Sequence, residues 1–158
     1  MLILGIDPGL QRTGWGIIRN SGSQLSYIDC GVITSNAEDD LAVRLKSLSD
    51  ALAQVIARHR PQQVAIEETF VSVNGASTLK LGQARGALLL TLSQADLPVR
   101  EYAARLVKKS ITGSGSADKN QMTAMVRMLL PGCQTKSADA ADALAIAICH
   151  ANHSLSYA

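Results

Sequence analysis

Aromatic residues are scarce in this chain: one Trp, one Phe and three Tyr amount to 3% of it. That is little material for a platform on which several nucleic-acid bases stack. Cysteine is nearly as rare. Cys30, Cys133 and Cys149 are odd in number, far apart and without a C-x-x-C pair. Buried free thiols are therefore expected, not a disulfide framework or a thiolate metal centre. His150 and His153 stand three apart near the C-terminal end, but no Cys or acidic residue beside them completes a zinc site.

No apolar run approaches the roughly 20 residues that cross a bilayer. The opening MLILGIDPG lacks a basic n-region and reaches Asp7 too soon for a signal peptide. The expectation is a soluble cytoplasmic protein with no membrane association. Neither sign of charge dominates: the formal net charge is +2, too small to announce a nucleic-acid partner, because the distribution of charge matters more than its sum.

What is present is enough apolar material for a core. With 158 residues, 47% hydrophobic and 18% charged, one globular domain over 1–158 is expected. No internal repeat or linker divides it.

The first third reads as strands at 2–7, 13–19 and 25–33, joined by the turn signals Pro8-Gly9 and Asn20-Ser21-Gly22-Ser23. Leu41, Leu45, Leu48, Leu52, Val55 and Ile56 then recur at spacings of three and four, which predicts an amphipathic helix over 39–59, ended by Pro61. A strand at 64–67, a helix at 76–95, a strand at 98–102 and a short helix at 105–111 follow. After the loop 112–116, Ser116 or Asp118 can cap a helix over about 119–130. Pro131-Gly132 stops it, and an Ala-rich helix over 137–151 closes the chain. The order βββαβαβααα calls for an α/β fold: an antiparallel meander extended by right-handed crossovers into a mixed sheet with helices on both faces.

Acidic residues fall at telling places in this pattern. Asp7 ends the first strand, where ligands of open α/β sheets bind, although an Asp also starts turns such as Pro8-Gly9. Glu67 and Glu68 end another strand and point to opposite faces, so one of the two can join Asp7. The residues alone do not say which. Asp139 and Asp142 lie three apart on one face of an otherwise uncharged helix, where like charges repel and Asp is a poor helix former. Placement in a first turn would explain Asp139 comfortably and Asp142 less well. Together the acids suggest Mg²⁺, which binds through a few carboxylates, water and substrate phosphate. Two such ions can clamp an in-line phosphoryl displacement. No Ser–His–Asp or Cys–His arrangement competes for this role. The stretch from Gly9 to Gly14 begins like a phosphate-binding loop, but Trp15-Gly16 replaces the Lys-Ser/Thr pair that such a loop needs. An Asp-x-Gly hairpin followed by Thr-Gly also occurs in the actin-like and sugar-kinase ATPases, which keeps an ATPase alternative open.

The motifs Leu4-Gly5-Ile6-Asp7-Pro8-Gly9 with Thr13-Gly14, then Ala65-Ile66-Glu67, Leu79-Lys80-Leu81-Gly82-Gln83-Ala84-Arg85-Gly86 and Ala138-Asp139-Ala140-Ala141-Asp142-Ala143-Leu144-Ala145 resemble the RuvC family of crossover junction endodeoxyribonucleases, in order, in spacing and over nearly the whole chain. The resemblance implies an RNase H-like fold with a five-stranded mixed sheet flanked by helices. It implies a homodimer whose two active sites make paired symmetric nicks in a four-way (Holliday) DNA junction, in recombination and repair. Hydrolysis would use Mg²⁺, with two ions per active site and Mn²⁺ able to substitute, and would leave 5′-phosphate and 3′-hydroxyl ends. RuvA and RuvB are the implied partners.

Residue by residue, the resemblance assigns Asp7, Glu67, Asp139 and Asp142 as catalytic metal ligands, choosing Glu67 over Glu68. It makes Lys108, Lys109, Lys119, Arg85 and Phe70 candidates for DNA binding. The lysines would hold phosphates, which positions DNA without reading sequence. Phe70 would wedge into an opened base step, or else pack in the core. The Gly- and Ala-rich stretch at 82–87 is the expected dimer contact, with burial inside one subunit as the alternative. Two rival functions remain: a related nuclease that processes ribosomal RNA precursors, and an ATPase or a junction-binding module without nicking activity.

Overall fold

The computed structural model describes residues 1–68 and 73–155. Phe70 lies outside them. Ten elements follow in the expected order: β1 (Leu2–Asp7), β2 (Arg12–Asn20), β3 (Leu25–Thr34), α1 (Leu41–His59), β4 (Gln63–Glu67), α2 (Gly75–Gln94), β5 (Val99–Tyr102), α3 (Ala104–Thr112), α4 (Lys119–Leu129) and α5 (Ala138–Leu155). The strands form one sheet in the order β3-β2-β1-β4-β5. β1, β2 and β3 are antiparallel neighbours, while β1, β4 and β5 run parallel.

Helices cover both faces, and strand alternation decides which residue meets which helix. Leu4, Ile6, Val64 and Ile66 pack with Leu48 and Leu52 of α1 and with Ala84, Leu88 and Leu92 of α2. Ile3 and Ala65 point the other way, into a core built with α3, α4 and α5. Being covered on both sides, β1 buries Ile3, Leu4 and Ile6 completely, which is why it reads as a continuous apolar run.

The helix α5 lies directly on the backbone of β1 and β2. A Cβ at Gly5 would stand 2.0 Å from the carbonyl oxygen of Ala143, and one at Gly14 would stand 2.0 Å from that of Asp139. Only glycine permits this approach, and Ala140, Ala143 and Ala147 on the facing helix are fully buried in it.

Local signals explain most of the boundaries. Asn74 caps α2 by accepting from the amides of Ala76 and Ser77 at 3.1 and 3.2 Å. Asp118, rather than Ser116, caps α4, and Gln121 returns the bond to the Asp118 amide. One difference lies at the end of α5, which runs a turn past residue 151 to Leu155. His150 is buried there, bonded to the Tyr102 hydroxyl at 2.8 Å and to Gln63 at 2.7 Å, so it anchors α5 to the sheet. The three thiols are free as expected, but Cys30 is only half-buried.

Candidate active site

The register of the sheet puts Asp7 and Glu67 side by side. β1 and β4 pair in parallel through Ile6 and Ile66, and the next residue on each strand is an acid. By alternation Asp7 follows Ile3 and Gly5, and Glu67 follows Ala65, so both carboxylates project to the side that α5 covers. Glu68 points the other way and is exposed. On the antiparallel side Asp7 pairs with Gly14, against whose missing Cβ the first turn of α5 rests. That contact delivers Asp139 and Asp142 to the carboxyl end of β1.

The turn after Asp7 is held from within. The Thr13 hydroxyl, fully buried, donates to the Gly9 carbonyl at 2.7 Å and accepts from the Gly9 amide at 3.2 Å. Thr13-Gly14 is thus a structural pair: one residue closes the turn and the other admits the helix.

Glu67 and Asp142 line a cavity of ≈ 440 Å³ together with Lys108, Asp118 and Lys119. Burial, then the nearby charges of Glu67, Asp142 and Asp139, push the Asp7 carboxyl up from 3.8 to about 8, while Lys119 opposes the shift. Glu67 is also raised, by burial and then by Asp142, with Lys108 pulling it back. Asp142 is raised by burial against the opposing pull of Lys119. Carboxylates that are both desolvated and mutually repelling are costly to ionise unless a cation joins them. The donor set of oxygen-only ligands suits a hard divalent ion. As they lie, no three of the acid, His or Cys side chains among the described residues stand close enough together to hold an ion. Asp139 is instead engaged by Arg12, whose Nε donates to its Oδ2 at 2.7 Å.

The five basic and aromatic candidates divide. Lys108 and Lys119 face the acids across the cavity. Lys109 is exposed on α3 and does not line it. Arg85 is turned inward: its Nε donates to the backbone carbonyl of Glu67 at 3.1 Å. One terminal nitrogen sits 2.8 Å from Glu101, an ion pair without hydrogen-bond alignment, and the side chain is 15% exposed. Phe70 is outside the described residues. Arg12 and the Thr13 clamp were not singled out from the sequence; no local pattern marks Arg12, since its partner is 127 positions away.

Residues 3–150 match the family model for crossover junction endodeoxyribonuclease RuvC. The chain belongs to the RuvC family. A RuvC from Ruegeria pomeroyi is 59% identical over 151 residues, which covers 96% of this chain and 91% of that protein. One from Methylorubrum populi is 56% identical over 151 residues, covering 96% and 80%. Among solved structures, T. thermophilus RuvC in complex with a Holliday junction substrate superposes with a TM-score of 0.93 at 31% identity, covering 99% of this chain and 96% of that one. The five-stranded mixed sheet and its flanking helices are the RNase H-like fold of that RuvC structure, and the chain is a crossover junction endodeoxyribonuclease.

Proposed function

We propose that this RuvC chain acts as one nuclease domain in a Mg²⁺-dependent homodimer. It cuts a four-way DNA junction by paired symmetric nicks, leaving 5′-phosphate and 3′-hydroxyl ends. The observation that carries this reading is the meeting of Glu67 and Asp142 with Lys108 and Lys119 around one cavity, beside a half-buried Asp7. Acids suited to a divalent ion and cations suited to a phosphodiester face the same space.

In this reading Asp7, Glu67, Asp139 and Asp142 hold two Mg²⁺ ions, with Asp139 released from Arg12 to join them. Held by these carboxylates, the ions would supply the charge that activates an attacking water and stabilises a leaving 3′-oxygen. Lys108 and Lys119 hold the non-bridging oxygens of the scissile phosphate, and the low dielectric around Asp7 strengthens every charge contact at the site. Glu67 is kept in place by the Arg85 bond to its backbone carbonyl, so Arg85 acts behind the site.

The dimer uses the outer face of α2. That helix buries Ala84, Leu88, Thr91 and Leu92 against the subunit and leaves Leu79 and Leu90 62% and 59% exposed. Gly82 and Gly86 lie between these leucines with open space at the Cβ position. An apolar stripe with a small-residue centre suits a second copy of the same helix. A cytoplasmic site of action and cooperation with RuvA and RuvB follow from the same reading. Among the described residues no helix is long and apolar enough to cross a membrane. The test is cleavage of a synthetic four-way junction against linear duplex and structured RNA, with and without Mg²⁺; preference for RNA would favour a ribosomal-precursor nuclease.

A further inference from the structure

A second groove, of ≈ 470 Å³, opens on the far side of Lys119. Lys119, Asn120, Thr123, Arg127, Lys136 and Ser137 line it. One wall is a face of α4, on which 119, 120, 123 and 127 recur at helical spacing. The other is the segment that leads from α4 into α5 and ends beside Asp139.

The groove carries three cations and no acid. Lys119, Arg127 and Lys136 are all exposed. None of them takes part in an ion pair among the described residues. Arg127 spends one donor on the Thr135 carbonyl at 3.0 Å, which ties α4 to the loop; the charge itself meets no carboxylate. Like charges along one groove repel, and among the described residues neither Arg127 nor Lys136 has a carboxylate in an ion pair to offset that repulsion. A polyanion relieves that repulsion. The amide of Asn120 and the hydroxyls of Thr123 and Ser137 add neutral donors of the kind that accompany Lys and Arg on phosphate oxygens. Lys119 lines both this groove and the carboxylate cavity, so one side chain borders the two.

The geometry points to a phosphate track: Arg127 and Lys136 each hold a backbone phosphate of the DNA strand whose neighbouring phosphate Lys119 holds at the cutting site. The inference rests on the reading of the carboxylate cavity as a junction nuclease, and it assigns two residues and a direction of exit for one junction arm. Because the groove offers cations and small polar donors and no aromatic face, it contributes affinity and register and reads no base.

Binding of the full-length chain to a synthetic four-way junction, measured by fluorescence anisotropy in EDTA between about 50 and about 200 mM salt, tests this. Lys136→Ala and Arg127→Ala are each expected to weaken binding about three- to tenfold and to lower the slope of log affinity against log salt by about one. Lys46→Ala, on an exposed Lys of α1 far along the chain, is expected to leave the slope unchanged. Arg127→Lys keeps the charge and should restore most of the slope, which separates phosphate contact from a loosened loop. Ethylation interference should show the lost phosphates on one side of the nick only. Unchanged slopes in both alanine variants, with a wild type that binds and nicks junctions, would overturn the track and leave the nuclease reading standing. A wild type that neither binds nor nicks a junction would overturn both. Slope losses seen on structured RNA and not on the junction would overturn the DNA assignment.

Discussion

Arg12 Nε stands 2.7 Å from Asp139 Oδ2, joining the start of β2 to the first turn of α5. The pair is partly solvated, with the two side chains 54% and 33% exposed, and ion pairs of that kind are worth only about 0.2–1 kcal/mol. A divalent cation can therefore displace it at little cost. Arg12→Ala is expected to raise the affinity for Mg²⁺ in the absence of DNA by about two- to fivefold. Isothermal titration of the two proteins checks this; unchanged or weaker binding would mean that Arg12 supports the metal site and does not compete with it.

The raised Asp7 carboxyl sets a pH dependence. Its value rises from 3.8 to about 8 in the folded, metal-free protein, so the native state binds a proton that the unfolded chain has released. Stability therefore falls as pH rises between about 4 and about 8, and is greatest below that window. Mg²⁺ needs the ionised acid, so it should stabilise the protein more at pH 9 than at pH 6. Thermal melts with and without Mg²⁺ at both values check the sign. Asp7→Asn should flatten the metal-free profile and reduce the gain from Mg²⁺.

Two glycines separate packing from assembly. Gly14→Ala would put a Cβ 2.0 Å from the Asp139 carbonyl oxygen, a backbone atom that cannot rotate away. A loss of about 1–3 kcal/mol or more is expected, with nicking lost as α5 shifts. At Gly82 nothing lies within 4 Å, and an Ala there favours the helix by about 1 kcal/mol. Gly82→Ala should leave the subunit folded and weaken the dimer, as read by sedimentation. An intact dimer would place the interface elsewhere.

Arg85 distinguishes two roles by one slope. If it supports Glu67 through the carbonyl bond, Arg85→Gln lowers the nicking rate at saturating enzyme and leaves the salt dependence of junction binding unchanged. A slope reduced by about one would make it a phosphate contact instead.

Much of this was legible in advance, for identifiable reasons. The order of elements along the chain followed from Gly-rich turns and from periodicity that changes at the start of α1. The choice between Glu67 and Glu68 was not legible in the residues themselves and rested on the family resemblance, because both end the same strand and Ile3 on the face of Gly5 and Ala65 is as large as its neighbours on the other face. What could not be read was long-range pairing. Arg12 meets Asp139 across 127 positions, and Arg85 looks like any surface cation of a helix until α2 is seen against the end of β4. Residues 119, 127 and 136 become one groove only when α4 is set beside the loop into α5.

The central proposal is that Asp7 and the three acids near it, Glu67, Asp139 and Asp142, make a divalent-ion site that cuts branched DNA. Its most direct measurement is nicking of a synthetic four-way junction with Mg²⁺ by the wild type and by Asp7→Asn, with linear duplex in parallel. The account predicts symmetric nicks in the junction by the wild type alone, none without Mg²⁺ and none in duplex, while the variant still binds the junction. Nicking by Asp7→Asn at the wild-type rate, or equal cutting of duplex and junction, would contradict it.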